Sequence, residues 1–392
     1  TIMKILVVHN AYQSHHVGGE DVVVQNELNA LKKALGDEKV FEYIVSNDEI
    51  RPLNLMIKLW GDDVHFKKIA KLVKENHIDI VHVHNFFPLL TPTVFAGAKY
   101  AGAKVVHTLH NFRWWCSAGI LYRDNQSCEK CIDKTFGWPA VLHKCYRNST
   151  MQSLAANMAF TWYRIKDYTQ YIDSYFVLTH FQQRKLQSHI PHTKMFLKPN
   201  GIVPTKKSIE PCAKKDYLFV GRLESAKGID LLLATWRNLP AQFNLKVIGT
   251  GENEDALRQE YESERICFLG KLPHDEVLAY MAKSKYFIHA SLTYETFGLT
   301  LVEALSVGTP VIAIDIGPRK EFVQTGKNGF LCKKEDLGET ILSAHDYQDY
   351  ASLSENAVKS AQPFYMENVI KQQIGYYQTL LSSKEVCHAS AF

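Results

Sequence analysis

Two series of short apolar runs, each interleaved with helix-like segments, constrain this 392-residue chain more than any other feature. In the first series, residues 5–9, 78–84, 105–109 and 175–178 are near-continuous apolar runs, the pattern of strands buried on both faces of a parallel sheet. Residues 20–35 and 65–76 read as helices between them. The second series places strands at 217–220, 245–248, 266–269, 286–289 and 311–314, with helices at 228–238, 274–283 and 298–307. The turn-type cluster Lys198-Pro199-Asn200-Gly201 separates the two. The expected fold is therefore α/β: two doubly wound domains, each with a ligand crevice at its strand carboxyl ends. The first domain is expected over 1–199 and the second over 200–363. Near Pro363 the chain is expected to cross again, so that 364–392 packs back on the first domain, with a frayed end from Ser382.

Composition narrows the class. The chain is 46% hydrophobic and 22% charged, ordinary for a globular protein. No apolar run reaches the ~20 residues that span a bilayer. Past Thr1, Ile2 and a plausible initiator at Met3, the chain enters a strand-like run at once. No signal peptide is read there, and a cytoplasmic location is expected. Charge is uneven. Residues 1–199 hold 24 Lys+Arg against 17 Asp+Glu, and residues 200–392 hold 21 against 24. A basic first half suits an anionic acceptor or peripheral contact with an anionic membrane, and equally a solvated charged surface. Nucleic acid is not expected, since there is no zinc-finger spacing and no dense Lys/Arg run.

Four motifs sit where strands give way to loops or helices. His15-His16-Val17-Gly18-Gly19-Glu20-Asp21 follows the first strand, and its paired glycines allow close backbone approach to a phosphate at a helix start. Gly221-Arg222-Leu223-Glu224-Ser225-Ala226-Lys227-Gly228 follows the first strand of the second series. Two cations five residues apart can clamp a diphosphate and stabilise the charge that grows on it as it leaves. In Glu295-Thr296-Phe297-Gly298-Leu299-Thr300-Leu301-Val302-Glu303 one acid lies in a loop and the other inside an apolar helix, where it needs a partner. Both can accept sugar or ribose hydroxyls. Thr108-Leu109-His110-Asn111 closes a strand and aims His110 into the crevice, whereas His82 and His84 read as structural.

Together these motifs resemble the retaining glycosyltransferases of family four, whose GT-B fold sets two Rossmann-like domains face to face across a cleft. The resemblance covers essentially the whole chain, and Pro199-Asn200-Gly201 falls in the expected order. It implies a nucleotide-diphosphate sugar donor held by Arg222 and Lys227, with Glu295 on the transferred sugar and Glu303 on the ribose. Backbone amides of Phe297, Gly298 and Leu299 would hold phosphate and sugar. Gly18 and Gly19 would approach the ligand, the Lys271-Leu272 region would meet the base, and His110 would lie beside the reacting sugar. It also implies retention through an oxocarbenium-like transition state. The departing diphosphate would take the acceptor proton, and fixed cations would stand in for a divalent metal, as no Asp-x-Asp is present. The implied acceptor is a lipid-linked or surface-polysaccharide glycan. The rival readings are a nucleotide-sugar epimerase on the same fold and a non-catalytic subunit of a transferase complex.

Cys116, Cys128, Cys131 and Cys145 fall within 30 residues and include one C-x2-C. Structural zinc, unpaired thiols and disulfides all remain open for this set. A similar cysteine-bearing insertion occurs in a subset of the family. The aromatic residues Trp114, Trp115, Tyr122 and Trp138 in the same segment suit sugar stacking or core packing.

Overall fold

The computed structural model describes residues 3–12, 18–49, 61, 63–204 and 215–382. The first sheet contains β1 (Ile5–Ala11), β2 (Val40–Ser46), β3 (Ile80–Val83) and β4 (Lys104–Thr108). A two-stranded hairpin, β5 (Tyr122–Arg123) and β6 (Gln126–Ser127), stands apart, and β7 (Ser174–Val177) and β8 (Met195–Leu197) complete the sheet. The second sheet contains β9 (Tyr217–Val220), β10 (Leu245–Ile248), β11 (Ile266–Gly270), β12 (Tyr286–His289), β13 (Val311–Ile314) and β14 (Gly329–Cys332).

All pairings within the two six-stranded sheets are parallel. The strand orders are β2-β1-β3-β4-β7-β8 and β11-β10-β9-β12-β13-β14. Strand order reverses between β1 and β3 in the first and between β9 and β12 in the second. Those two switch points are where doubly wound sheets open a crevice.

Helices cover the sheets. Those of the first part are α1 (Gly19–Leu35), α2 (Asp63–Asn76), α3 (Thr93–Tyr100), α4 (Trp138–Leu142), α5 (Thr150–Ile165) and α6 (His180–Leu186). The second part has α7 (Ile229–Arg237), α8 (Glu254–Tyr261), α9 (His274–Lys283), α10 (Leu299–Ser306), α11 (Leu337–His345) and α12 (Tyr350–Ala361). The last, α13 (Met366–Ser382), packs Met366, Ile370 and Tyr377 into a buried cluster with Met3, Ile5, Val7 and Leu28 of the first part. Its approach is tied down where the two crossing segments meet, with Ile202 N donating to Phe364 O and Met366 N to Ile202 O, each at 2.8 Å.

The two sheets touch through polar contacts. Glu321 accepts from the backbone amides of His180 and Phe181 at 2.8 and 2.5 Å, capping α6 from the other half. Thr296 Oγ1 donates to His110 O at 2.7 Å, and Thr179 Oγ1 donates to Thr296 O at 3.2 Å. These bonds hold the carboxyl end of β4 against the loop before α10.

Candidate active site between the two sheets

A cavity of about 220 Å³ opens between the sheets. It brings Gly19, Glu20 and His110 of the first half against Lys227, Glu295 and Gly298 of the second. Phe297 and Leu299 line it as well. It is smaller than the ~300–1,000 Å³ of a typical small-molecule pocket, so a larger ligand has to extend beyond it.

Lys227 and Glu295 follow β9 and β12, the two sides of the second switch point. Lys227 Nζ donates to Glu295 Oε1 at 2.7 Å. Glu295 Oε2 lies 3.4 Å from His289 Nε2, and Arg319 Nε donates to His289 Nδ1 at 3.3 Å. Burial alone would raise the Glu295 carboxyl, but the Lys227 ammonium, His289 and Arg319 hold it well below the usual carboxylate range. Burial lowers His289, and it brings the buried Arg319 guanidinium down to about 10.

Two backbone positions are dictated by glycine. Gly298 adopts φ +95 as the residue that opens α10, where a Cβ would stand 3.6 Å from Glu295 Oε2. Gly228 adopts φ +75, and a Cβ there would fall 1.9 Å from the Ala290 carbonyl oxygen, so only glycine lets the Lys227 loop lie against the end of β12. The free amides at the start of α10 thus face the cavity beside a fixed cation, a favourable place for a phosphate.

On the opposite wall His110 rests on a buried polar network. His84 Nδ1 and His110 Nε2 are 2.8 Å apart and their rings stack at 5.2 Å. Glu27 Oε1 lies 3.3 Å from both His84 Nε2 and His82 Nδ1, and the buried Lys198 ammonium pairs with the other Glu27 oxygen. Gln373 of α13 also donates to Glu27, at 2.6 Å. Burial, followed by the neighbouring His84, pushes His110 well below the usual histidine value, so its ring is neutral. Burial likewise opposes charge on Glu27, but Lys198 and His84 overcome it and keep the carboxyl ionised. Glu27, His82 and His84 present three ligand-type atoms within 4.8 Å of one another. The Lys198 ammonium already supplies the positive charge there, so the cluster reads as a structural support.

Gly18 precedes α1, with its amide donating to Asp21 Oδ2 at 3.1 Å, while Gly19 leaves open space toward the cavity. Glu20 was read only as part of the Gly-Gly motif, with no role of its own. Its Oε2 accepts from Tyr12 OH at 3.3 Å, and burial raises its carboxyl. Glu20 and Asn200 both line the cavity, and Glu20 Oε1 and Asn200 Oδ1 have no hydrogen-bond partner among the described residues. Such orphaned acceptors are what a polar ligand would satisfy. His289 and Arg319 were also missed. The only sequence signal for Arg319 is its place in a Gly-Pro turn just after β13.

Several expected residues stand outside the cavity lining. Arg222 is largely exposed and pairs with Glu224 at 2.8 Å. Glu303 is buried in α10 and finds the partner it needs in His274 Nε2 at 2.8 Å. Lys271 and Leu272 directly follow β11, the edge strand of the second sheet, with β10 between it and β9. His15, His16 and Val17 lie outside the described residues.

Cys116, Cys128, Cys131 and Cys145 are free and half-buried, and they lie close enough to act on one another: burial first, then the neighbouring cysteines, raise the thiols of Cys131 and of Cys145, the latter to about 11. Cys131 Sγ also points to Gly137 O at 3.9 Å. Free of disulfides, the set remains a candidate for structural zinc. Trp114 is a core residue, donating Nε1 to His107 Nε2 at 3.2 Å, whereas Trp138 is exposed.

Comparison with known proteins fits this arrangement. Residues 33–206 match the family described as Glycosyltransferase Family 4, and residues 205–360 match Glycosyl transferases group 1. The gpi3 subunit of phosphatidylinositol N-acetylglucosaminyltransferase from Schizosaccharomyces pombe is 26% identical over 76% of this chain and 60% of its own length. The O-antigen biosynthesis glycosyltransferase WbnH of Escherichia coli is 24% identical over 80% of each chain. The matches span 52%, 60% and 48% of the first three curated relatives, roughly half of their length. Among solved structures, Anabaena Alr3699/HepE in complex with UDP superposes with a TM-score of 0.66 at 17% identity, covering 96% of this chain and 100% of that one. That likeness establishes the GT-B fold.

Proposed function

The chain belongs to the family 4, group 1 glycosyltransferases, and from that premise we propose that it moves a sugar from a nucleotide-diphosphate sugar to an acceptor. We further propose that it retains configuration and uses no catalytic metal. One observation carries the reading: the Lys227–Glu295 pair and the start of α10 face neutral His110 across a single cavity. Donor and acceptor would then meet where the two switch points oppose each other.

In this reading the diphosphate lies over the amides of Phe297, Gly298 and Leu299 beside Lys227. Arg222 exchanges Glu224 for the phosphate. Glu303 receives the ribose, and the backbone near Lys271 and Leu272 meets the base. Gly18 and Gly19 let the first half approach the donor, and Glu20 and Asn200 offer acceptors to hydroxyls of either substrate.

The bond from the anomeric carbon to the phosphate oxygen breaks as the acceptor oxygen attacks on the same face. The acceptor proton passes to the departing diphosphate, and Lys227 and Arg222 stabilise the charge left on it. Glu295, ionised and bound to Lys227, is suited to accept sugar hydroxyl hydrogens and unsuited to act as a base near neutral pH. His110, being neutral, contributes a hydrogen bond and shape beside the sugar.

We assign the acceptor to the class of lipid-linked or surface-polysaccharide glycan intermediates. That class is supported by the two relatives, WbnH being an O-antigen biosynthesis glycosyltransferase and gpi3 a subunit of phosphatidylinositol N-acetylglucosaminyltransferase. A thermal-shift screen of nucleoside diphosphates and their sugars tests the donor half. A ligand at 100 times its Kd adds about 2.7 kcal/mol, a readily visible shift. NMR of the product's anomeric centre tests retention. No stabilisation by any nucleoside diphosphate, or an inverted product, contradicts the proposal.

A further inference from the structure

The helix α5 carries two apolar faces. One packs inward through Ala156, Phe160 and Tyr163 against Phe86, Phe87 and Trp114. The other is uncovered. Met151, Leu154, Met158 and Ile165 lie within an arc of about 60° at 3.6 residues per turn, opposite the buried set. Met151 is 79% exposed and Ile165 64%. Beside them, Trp138 and Leu142 of α4 are 59% and 74% exposed. These six residues are half of the twelve large hydrophobic side chains that stand exposed among the described residues. A surface helix normally turns one apolar stripe inward and keeps the other face polar, so a second stripe signals a partner.

Charge identifies the partner. From Lys134 to Lys166 the sequence contains five Lys/Arg and no Asp or Glu. Arg164 is engaged internally, donating to Trp114 O and Thr135 O. Lys134, Lys144, Arg147 and Lys166 are exposed and form no ion pair with a carboxylate among the described residues. The flanking acids are turned elsewhere, Asp133 toward His189 at 3.2 Å and Asp167 toward Thr169 at 2.6 Å. Lys144 and Arg147 have φ of +50 and +52, so the link between α4 and α5 holds its cations in a conformation that bulky residues rarely adopt.

We propose that the α4–α5 face is a docking surface for an anionic lipid bilayer. Met151, Leu154, Met158, Ile165, Trp138 and Leu142 would enter the interface, and the four exposed cations would pair with lipid headgroups. Apolar residues flanked by cations are the composition that lies in a membrane interface without crossing it, and each cation near such a surface adds attraction. No helix among the described residues is long and apolar enough to cross a membrane. The inner face of α5 packs on Trp114, in the same β4-to-α4 connection as the cavity residues Asn111, Gly119 and Ile120, so docking would bring a membrane-bound acceptor near the cleft. The inference goes beyond the transfer reaction and stands or falls without it.

Flotation of the full chain with vesicles tests it. Vesicles of phosphatidylcholine alone are compared with phosphatidylcholine mixed with phosphatidylglycerol. Binding is expected only to the anionic vesicles and is expected to weaken with added salt. M151Q/M158Q/I165Q is expected to lose binding by about tenfold or more, and K144Q/R147Q/K166Q by a similar factor. These side chains are exposed, so both variants should keep the parent melting temperature and nucleoside diphosphate binding. Failure to bind anionic vesicles overturns the proposal, as does equal binding to neutral ones or unchanged binding by both variants. Self-association without lipid, abolished by the apolar variant and unaccompanied by vesicle binding, would assign the face to a second copy of the chain and also overturn it. None of these readouts depends on sugar transfer, so failure here is separable from failure of the proposed activity.

Discussion

Lys227 Nζ and Glu295 Oε1 meet at 2.7 Å although 68 residues separate them in the chain. Each follows one of the two strands that flank the second sheet's switch point, so the parallel order of that sheet brings them together. The pair fixes a cation beside the start of α10 and keeps a carboxylate ionised within reach of the same cavity.

Removing that cation should act on both rate and stability. Lys227→Ala is expected to lower turnover by about 10²-fold or more, the cost of losing a group that stabilises charge in the transition state. It also leaves Glu295 buried without its first partner. Since Lys227 is partly exposed, the expected loss of stability is about 1–2 kcal/mol, below that of a fully buried pair. Steady-state kinetics and denaturant titration check both. Near-parental turnover in Lys227→Ala combined with Arg222→Ala would remove the clamp from the mechanism.

Catalysis is expected to survive chelation. The charge on the departing diphosphate is assigned to Lys227, Arg222 and the amides opening α10, so a short assay in EDTA should retain activity. Loss of activity that only Mg²⁺ or Mn²⁺ restores would contradict this assignment.

Stability should fall as the solution is acidified from pH 7 to 5. Burial lowers His82, His84, His107, His110 and His289 below the usual histidine value, His107 to about 4. The unfolded chain takes up those protons near pH 6.5 while the folded chain does not. The contribution is therefore complete above about pH 6.5 and shrinks below it, by up to about 1.4 kcal/mol per pH unit for each such group. The half-buried His345 is lowered as well, while His274 and Glu20 are raised and work in the opposite direction, two groups against six. Glu27 and Glu295, both lowered, lose their contribution only at still lower pH. Denaturant titrations at pH 5, 6 and 7 check the sign, and a flat or rising stability toward pH 5 would contradict it.

The buried strands were the most legible part of the sequence. Residues 217–220, 245–248, 286–289 and 311–314 are strands with the expected limits, because a parallel strand covered on both faces is a bare apolar run. Three of the four edge strands were missed for the converse reason, β11 alone being expected. β2 alternates buried and exposed positions, β8 has three residues, and β14 begins at a glycine packed against Val311. In the site, Lys227, Glu295 and Gly298 were legible because each lies in the short segment between a strand of the second sheet and the helix that follows it. Arg319, His289 and Glu20 were not, since their roles depend on contacts between elements that no local pattern encodes. The cysteine spacing was legible as far as proximity, since Cys116, Cys128, Cys131 and Cys145 act on one another in the fold.

The central claim is that donor binding resides in the second half while His110 of the first half acts at the reacting sugar. Binding of a nucleoside diphosphate and turnover of its sugar, measured in parallel on His110→Ala and Glu303→Ala, test it most directly. His110→Ala is expected to keep nucleoside diphosphate affinity within about threefold and to lose most of its turnover, since only a group beside the reacting atoms is removed. Glu303→Ala is expected to weaken that affinity by about tenfold, the worth of one hydrogen bond to a charged group. If His110→Ala weakens nucleoside diphosphate binding as much as Glu303→Ala while sparing the turnover of bound donor, the division of labour across the cleft is wrong.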